Sequence, residues 1–178
     1  DTVAFSNQTA KISQGRLPDG TTNVVLFPPF GNNVSASPGG PNSLVVTNLV
    51  VNELLSHTDP PYEDAVEFRN LGDSPIDISG WWLSNVKSDP KRARIPAGPP
   101  LPPGGYRVIY EYQFNTNAAS YPGGYPQSNI LVSFTFNSAH GDEVHLFAAD
   151  AGGVLTGLRC SEVFEAALTG VSFERHST

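Results

Sequence analysis

An all-β sandwich, mostly antiparallel, is the fold class this chain predicts, on three observations. Glycine (17) and proline (16) make up almost a fifth of its 178 residues, too many for long helices. They recur at short intervals between runs rich in Val, Ile, Leu and Phe, which is the punctuation of short strands joined by turns. Within those runs apolar and polar residues alternate, as a strand with one buried face requires. A hydrophobic content of 39% supplies the core of a single ordinary domain.

In chain order, strands are expected near residues 3–5, 12–17 and 23–27. The run Ser37-Pro-Gly-Gly-Pro-Asn42 has no periodicity and divides the chain into residues 1–42 and 43–178. Leu44-Val-Val46 and Leu49-Val-Val51 read as one strand running into a loop over 43–55, and 57–64 as a loop around Pro60-Pro61. Residues 65–70 alternate, with Val66 and Phe68 on one face and Glu67 and Arg69 on the other. Past the turn residues 71–75, Ile76 and Ile78 share a face, but Trp81 and Leu83 have the opposite parity. A turn or bulge at Ser79-Gly80 restores the register, which sends Trp81 to the core and Trp82 outward.

Residues 87–94 read as a charged loop, and the prolines of 95–105 exclude helix there. Strands follow over 106–112 and 130–136, separated by a long polar loop, 115–129, that carries Tyr121-Pro122 and Tyr125-Pro126. A turn at 137–142 pairs 130–136 with a strand over 143–148. A hairpin turn at 150–153 and strands over 154–163 and 170–175 complete the chain, with 163–168 alone able to form a helical turn.

Ten Lys and Arg against 17 Asp and Glu leave a net charge of -7, which repels phosphate backbones and anionic lipid, so no nucleic acid is expected as partner. Lys87, Lys91, Arg92 and Arg94 form the one basic cluster, beside Trp82, and read as a solvated loop. The single cysteine, Cys160, cannot close a disulfide within the chain and reads as a small buried hydrophobe. No apolar run reaches membrane-spanning length, so no membrane insertion is expected. The chain begins at Asp1 and contains no methionine, and reads as a processed product or a piece of something longer.

Chemistry is sparse. His140 and His145 are five apart in a turn-to-strand segment, so helical zincin geometry is out of reach, although Glu143 and His145 share a strand face. Asp59, Glu63 and Asp64 crowd one loop and could offer oxygen ligands to calcium, without EF-hand spacing. Glu53 and Glu67 could pair as carboxylates, but sheet roles suit them better. No Gly-x-Ser-x-Gly elbow occurs. No catalytic residue, metal site or cofactor is therefore assigned. Trp82, Tyr121 and Tyr125 are the candidate partner-binding residues, as outward aromatics near loops, the alternative being that the loops fold back and shield them.

Several segments, in order, resemble one family: Leu49-Val-Val-Asn-Glu53, Val66-Glu-Phe-Arg-Asn70, Gly72-Asp-Ser-Pro-Ile-Asp-Ile-Ser-Gly-Trp81, Leu83-Ser84, Ile95-Pro-Ala-Gly98, Leu101-Pro-Pro-Gly-Gly-Tyr106, Gly141-Asp-Glu-Val144 and Ser172-Phe-Glu-Arg175. Together they resemble the lamin tail domain in its bacterial, secreted version, which implies an immunoglobulin-like β-sandwich. Departures are Trp82, the Tyr-Pro loop and a C-terminus that stops soon after Phe-Glu-Arg. Ile12-Ser-Gln-Gly-Arg-Leu-Pro-Asp-Gly20 with Ser37-Pro-Gly-Gly-Pro-Asn42 resembles the closing segment of the same family. Residues 1–42 are thus expected to be the end of a preceding copy, and 3–16 align without gaps on 162–175, pairing Phe5 with Phe164, Ser13 with Ser172 and Arg16 with Arg175. Lone hairpins do not persist in water, so residues 1–42 are expected to add strands to the main sandwich, or to a neighbouring molecule by strand exchange.

The resemblance implies a non-catalytic, structural or interaction module of a larger secreted or surface-attached bacterial protein, extracellular or at the cell surface. The alternative is a carbohydrate- or calcium-binding accessory domain of an extracellular enzyme. The chromatin and envelope contacts of eukaryotic lamins find no heptads and no basic face here to carry them.

Overall fold

The computed structural model describes residues 2, 4, 7–29, 36–118 and 127–175. Its strands are β1 (Ser13–Arg16), β2 (Val24–Phe27), β3 (Leu44–Val45), β4 (Leu49–Leu55), β5 (Ala65–Asn70), β6 (Trp82–Ser84), β7 (Ala93–Arg94), β8 (Tyr106–Tyr110), β9 (Asp142–Ala149), β10 (Leu155–Phe164) and β11 (Ser172–Glu174). They form a five-stranded sheet in the order β3-β10-β9-β6-β7, a four-stranded sheet in the order β11-β4-β5-β8, and the pair β1-β2. β3 runs parallel to β10, while the other ladders are antiparallel. The sandwich is all-β, as the glycine and proline punctuation predicts.

The core lies where the inner faces meet. Val51, Leu54, Val66, Phe68 and Ile109 come from the four-stranded sheet, and Leu83, Val144, Leu146 and Cys160 from the five-stranded one. On β5 the burial alternates residue by residue, with Val66 and Phe68 fully buried, because consecutive side chains leave a strand on opposite faces. Cys160 sits in this core, where burial pushes its thiol up to about 12.

Expectations change for five segments. The single strand over 43–55 is two: β3 belongs to one sheet and β4 to the other, and polar Thr47-Asn48 between the apolar bursts carries the chain across. The charged loop 87–94 contains β7, an edge strand of two residues that is too short to show an alternation. The strand at 106–112 ends at Tyr110, and Glu111–Gln113 is a 3-10 turn whose first amide bonds Asp64 O.

Residues 130–136 are not a strand. Both edges of β9 are already taken by β10 and β6, so Ile130 makes only an isolated bridge to Ala93 and the Leu131 and Val132 amides bond Arg92 O. The alternation there is real, since Phe134 and Phe136 are buried against Phe114 and Phe164, but it serves an aromatic cluster rather than a ladder. No helical turn forms over 163–168, where β10 ends at Phe164 and the Ala167 amide bonds Ser138 O.

The Ser79-Gly80 turn is present, with Gly80 at φ +75° and the Trp81 amide bonding Ile78 O at 3.2 Å. Leu83 consequently faces the core and Trp81 packs against its edge. Trp82 does point away from the core, yet it is only 7% exposed, so its expected outward, solvent-facing position is corrected. The Asp150–Gly153 turn closes over it, its Nε1 donates to Gly153 O at 3.0 Å, and Lys91 and Arg94 lie over the ring at 5.9 and 5.7 Å.

Among the described residues β1 and β2 pair with each other and with no strand of either large sheet. Within this chain the hairpin does not add strands to the main sandwich; it lies on the outer face of the five-stranded sheet. Leu17 and Phe27 are buried, more than a two-stranded hairpin can achieve alone. Leu17 sits directly on Gly157, at φ +85°, where an added Cβ would fall 2.4 Å from Leu17 Cδ1. Residue 36 onward continues over the same face, with Gly40 against Ser88 and Lys87 Nζ donating to Ala36 O at 2.7 Å.

Candidate functional site

The two outer faces of the sandwich differ in what the strands present. On the five-stranded sheet the outward residues are Trp82, Phe147 and Arg159 in one cross-strand row and Ser84, His145 and Ser161 in the next. All are buried under the N-terminal segment and the 150–153 turn. Arg159 is 2% exposed, donates Nη1–H to Ser161 Oγ at 2.7 Å, and approaches His145 Nδ1 at 3.4 Å. His145 Nε2 lies 3.1 Å from Glu143 Oε2. A neutral ring with its proton on Nε2 serves both neighbours.

Burial keeps His145 below the usual imidazole range, opposed by Glu143 and assisted by the Arg159 charge. The hydrogen bond from His145 holds the Glu143 carboxyl below the usual carboxylate range. A buried cation whose counter-charge reaches it through a histidine is costly to strip of its cover.

Among the described residues, the outer face of the four-stranded sheet has no such cover. Its rows run Val50, Arg69, Tyr106; then Glu174, Glu53, Glu67, Val108; then Ser172, Leu55, Ala65, Tyr110. None of these side chains is buried, and Tyr106 and Tyr110 are 52% and 44% exposed. Arg69 lies over Tyr106 at 5.1 Å, and Tyr110 stacks on Tyr112 with centroids 6.3 Å apart. Glu53 and Glu67 are direct cross-strand neighbours, and Asn52 Nδ2 donates to Glu67 Oε1 at 2.7 Å.

Leu55 leads from this face into a pocket of about 480 Å³, also lined by Thr58, Asp59, Pro60, Tyr62, Thr169 and Gly170. The Tyr62 amide bonds Asp59 O across Pro60-Pro61 at 3.0 Å, and this turn leaves Tyr62 76% exposed at the lip. His57 pins the far wall: its Nδ1 meets Ala167 O at 2.9 Å and its carbonyl accepts the Gly170 amide at 2.8 Å. Tyr62 was not among the residues singled out above, though an aromatic directly after Pro-Pro in a polar loop is a readable signal.

The remaining candidates are dispersed. Tyr121 and Tyr125 lie outside the described residues. Asp64 is buried, accepts Thr58 Oγ1–H at 2.9 Å, and is pushed by burial to about 6. Glu63 accepts the Tyr112 amide, and Asp59 is exposed, so the acidic loop turns its carboxylates in three directions. Among the described residues no group of three His, Cys, Asp or Glu is placed to hold a metal ion. His140 lies in the exposed turn before β9, while His145 is buried beyond it. The basic cluster is engaged internally: Arg94 donates to Gly80 O and Ala151 O, and Arg92 pairs with Asp89. No helix among the described residues is long and apolar enough to cross a membrane.

Two mostly antiparallel sheets packed face to face, with the N-terminal hairpin laid on one of them, define an immunoglobulin-like β-sandwich module. The family model described as Lamin Tail Domain matches residues 42–159. The chain belongs to the lamin tail domain family. No curated protein and no solved structure matches it.

Proposed function

We propose that the chain is a non-catalytic structural and interaction module of a larger secreted or surface-attached bacterial protein. The observation that carries this reading is the uncovered outer face of the four-stranded sheet, where Tyr106 and Tyr110 stand exposed while the opposite face is sealed. An exposed aromatic face of this kind is suited to a protein partner. A photo-crosslinking side chain placed at Tyr106 or Tyr110 of the parent protein should give partner adducts in intact cells, and one at Val154 should not. Equal yields from both would sink the reading. Protease treatment of intact cells checks the location, since the Tyr62 turn should be cut from outside.

Residues 1–42 are proposed as the closing segment of a preceding copy. Support comes from detail that the alignment of 3–16 on 162–175 did not use. The turn that bonds the Ile12 amide to Thr9 O at 3.2 Å aligns with the one that bonds Val171 to Leu168 O at 3.1 Å. Lys11, at φ +66°, aligns with Gly170, at φ +73°. β1 then falls on β11.

A second reading, carbohydrate binding, is favoured by the loop pocket, which offers the Tyr62 ring as a platform and Asp59, Thr58 and Thr169 as hydrogen-bonding groups. Titration with soluble xylo-, cello- and manno-oligosaccharides, followed by amide shifts at Leu55 and Thr169, tests it. Binding that survives Tyr62→Ala would count against the pocket.

A further inference from the structure

We propose that the free edge of β11, with the groove beside it, is an acceptor for a strand of the Val24–Phe27 type, laid antiparallel to β11. The inference rests on the internal repeat and adds the acceptor edge, the register and the side chains that would seat the strand. Among the described residues β11 pairs with β4 alone and forms the edge of its sheet. Such an edge is a template for another strand.

The backbone polarity is already correct. The Arg175 amide bonds Asn52 O on the β4 side, and antiparallel strands alternate the direction of their amides, so Phe173 also faces β4 and Ser172 and Glu174 face the open edge. In the N-terminal hairpin the Leu17 amide bonds Asn23 O, so the same alternation turns Gly15 and Ser13 toward β2. The alignment lays Ser13 on Ser172 and Gly15 on Glu174. The two residues that hold β2 in the hairpin thus correspond to the two that hold nothing in β11.

The side chains agree. β2 sets Leu26 opposite Gln14 and Val24 opposite Arg16, which places them opposite Phe173 and Arg175 on β11. Phe173 faces inward, across from buried Leu54 and 6.0 Å from the Phe164 ring. A leucine opposite Phe173 would enter the groove of about 360 Å³ whose walls include Leu54, Val163, Phe164 and Phe173. Val163 and Phe173 are 56% and 37% exposed there. In the hairpin, Leu26 and Val24 are 53% and 42% exposed, apolar side chains with no core to enter. The acceptor supplies that core.

The test is a chain in which residues 17–42 are repeated after Arg175. Hydrogen exchange at the Ser172 and Glu174 amides should slow by about tenfold or more, and the unfolding midpoint should rise. Replacing the repeated Leu26 by Asp should abolish both changes, whereas replacing the repeated Thr22 by Asp should preserve them. Unprotected amides, or protection indifferent to the Leu26→Asp change, would overturn the proposal. The repeat itself stands or falls on whether the parent sequence before residue 1 completes another copy, which these exchange rates do not touch.

Discussion

The two outer faces of this sandwich carry equally good strands and opposite surfaces. On the five-stranded sheet Phe147, Arg159 and His145 are each 2% exposed, while on the four-stranded sheet Tyr106 and Tyr110 keep about half their surface in water. The difference lies in residues 1–42, which place Leu17 and Phe27 over one sheet only. A face that the chain covers by its own length is structural, and a face it leaves bare is available to something else.

Deleting residues 1–42 is the strongest way to break this comparison. It removes the buried side chains Leu17 and Phe27, which at 1.5–3 kcal/mol each comes to roughly 3–6 kcal/mol. For a chain of this length that is a fall in midpoint of roughly 15 °C, read by calorimetry. An unchanged midpoint with a monomeric product would mean that the segment merely rests on the sheet. Gly157→Ala attacks the same contact from below. Its Cβ would strike Leu17, and φ +85° is a left-handed value that alanine resists, so about 2–3 kcal/mol should be lost. In a Leu17→Ala background the steric part should vanish and only about 1 kcal/mol of backbone strain remain. Denaturant melts of the double-mutant cycle separate the two.

Much of this arrangement is legible in the sequence, and the illegible part has a common cause. Alternation identifies the inward residues of β5, Val66 and Phe68, because side-chain direction is a local property of the strand. It does not say which strand occupies which edge, so 130–136 reads as a strand although β6 and β10 already hold β9. Trp82 shows the same limit from the other side. Parity placed it on the outer face correctly, but whether that face meets water depends on a turn some 70 residues later in the chain, whose Gly153 carbonyl takes its indole proton. The pocket at Tyr62 combines loops from both ends of the domain, a juxtaposition no local pattern encodes.

The faces should also respond to pH with opposite signs. Asp64, beside the open end, has its pKa raised from 3.8 to about 6. The native state therefore holds the proton more tightly, so this contribution is complete below pH 3.8 and is lost as pH rises toward about 6. Asp64→Asn should stabilise by about 1 kcal/mol at neutral pH, allowing for solvent screening of the carboxyl, and this gain should disappear well below pH 3.8, where the carboxyl is neutral in both the folded and the unfolded chain. His145, under the cover, is depressed from 6.5. Its contribution is present above that value and is lost as pH falls below it, so His145→Gln should blunt the acid lability of the N-terminal cover. Stability curves for the two variants between about pH 4 and 8 read both signs.

The smallest effect is the most diagnostic. Tyr106→Ser and Tyr110→Ser remove large aromatic rings, yet each should change stability by no more than about 0.5 kcal/mol, because rings already half in water release little on truncation. Phe147→Ala, a substitution of similar size on the covered face, should cost about 3–5 kcal/mol. If the tyrosines proved as costly as Phe147, their rings would be packing elements and the bare face would owe its composition to the fold. If they are nearly free and partner adducts from a crosslinker at neighbouring Val50 vanish in the double variant, the aromatic face is kept for contact. Stability and binding would then have been divided between the two sheets of one sandwich.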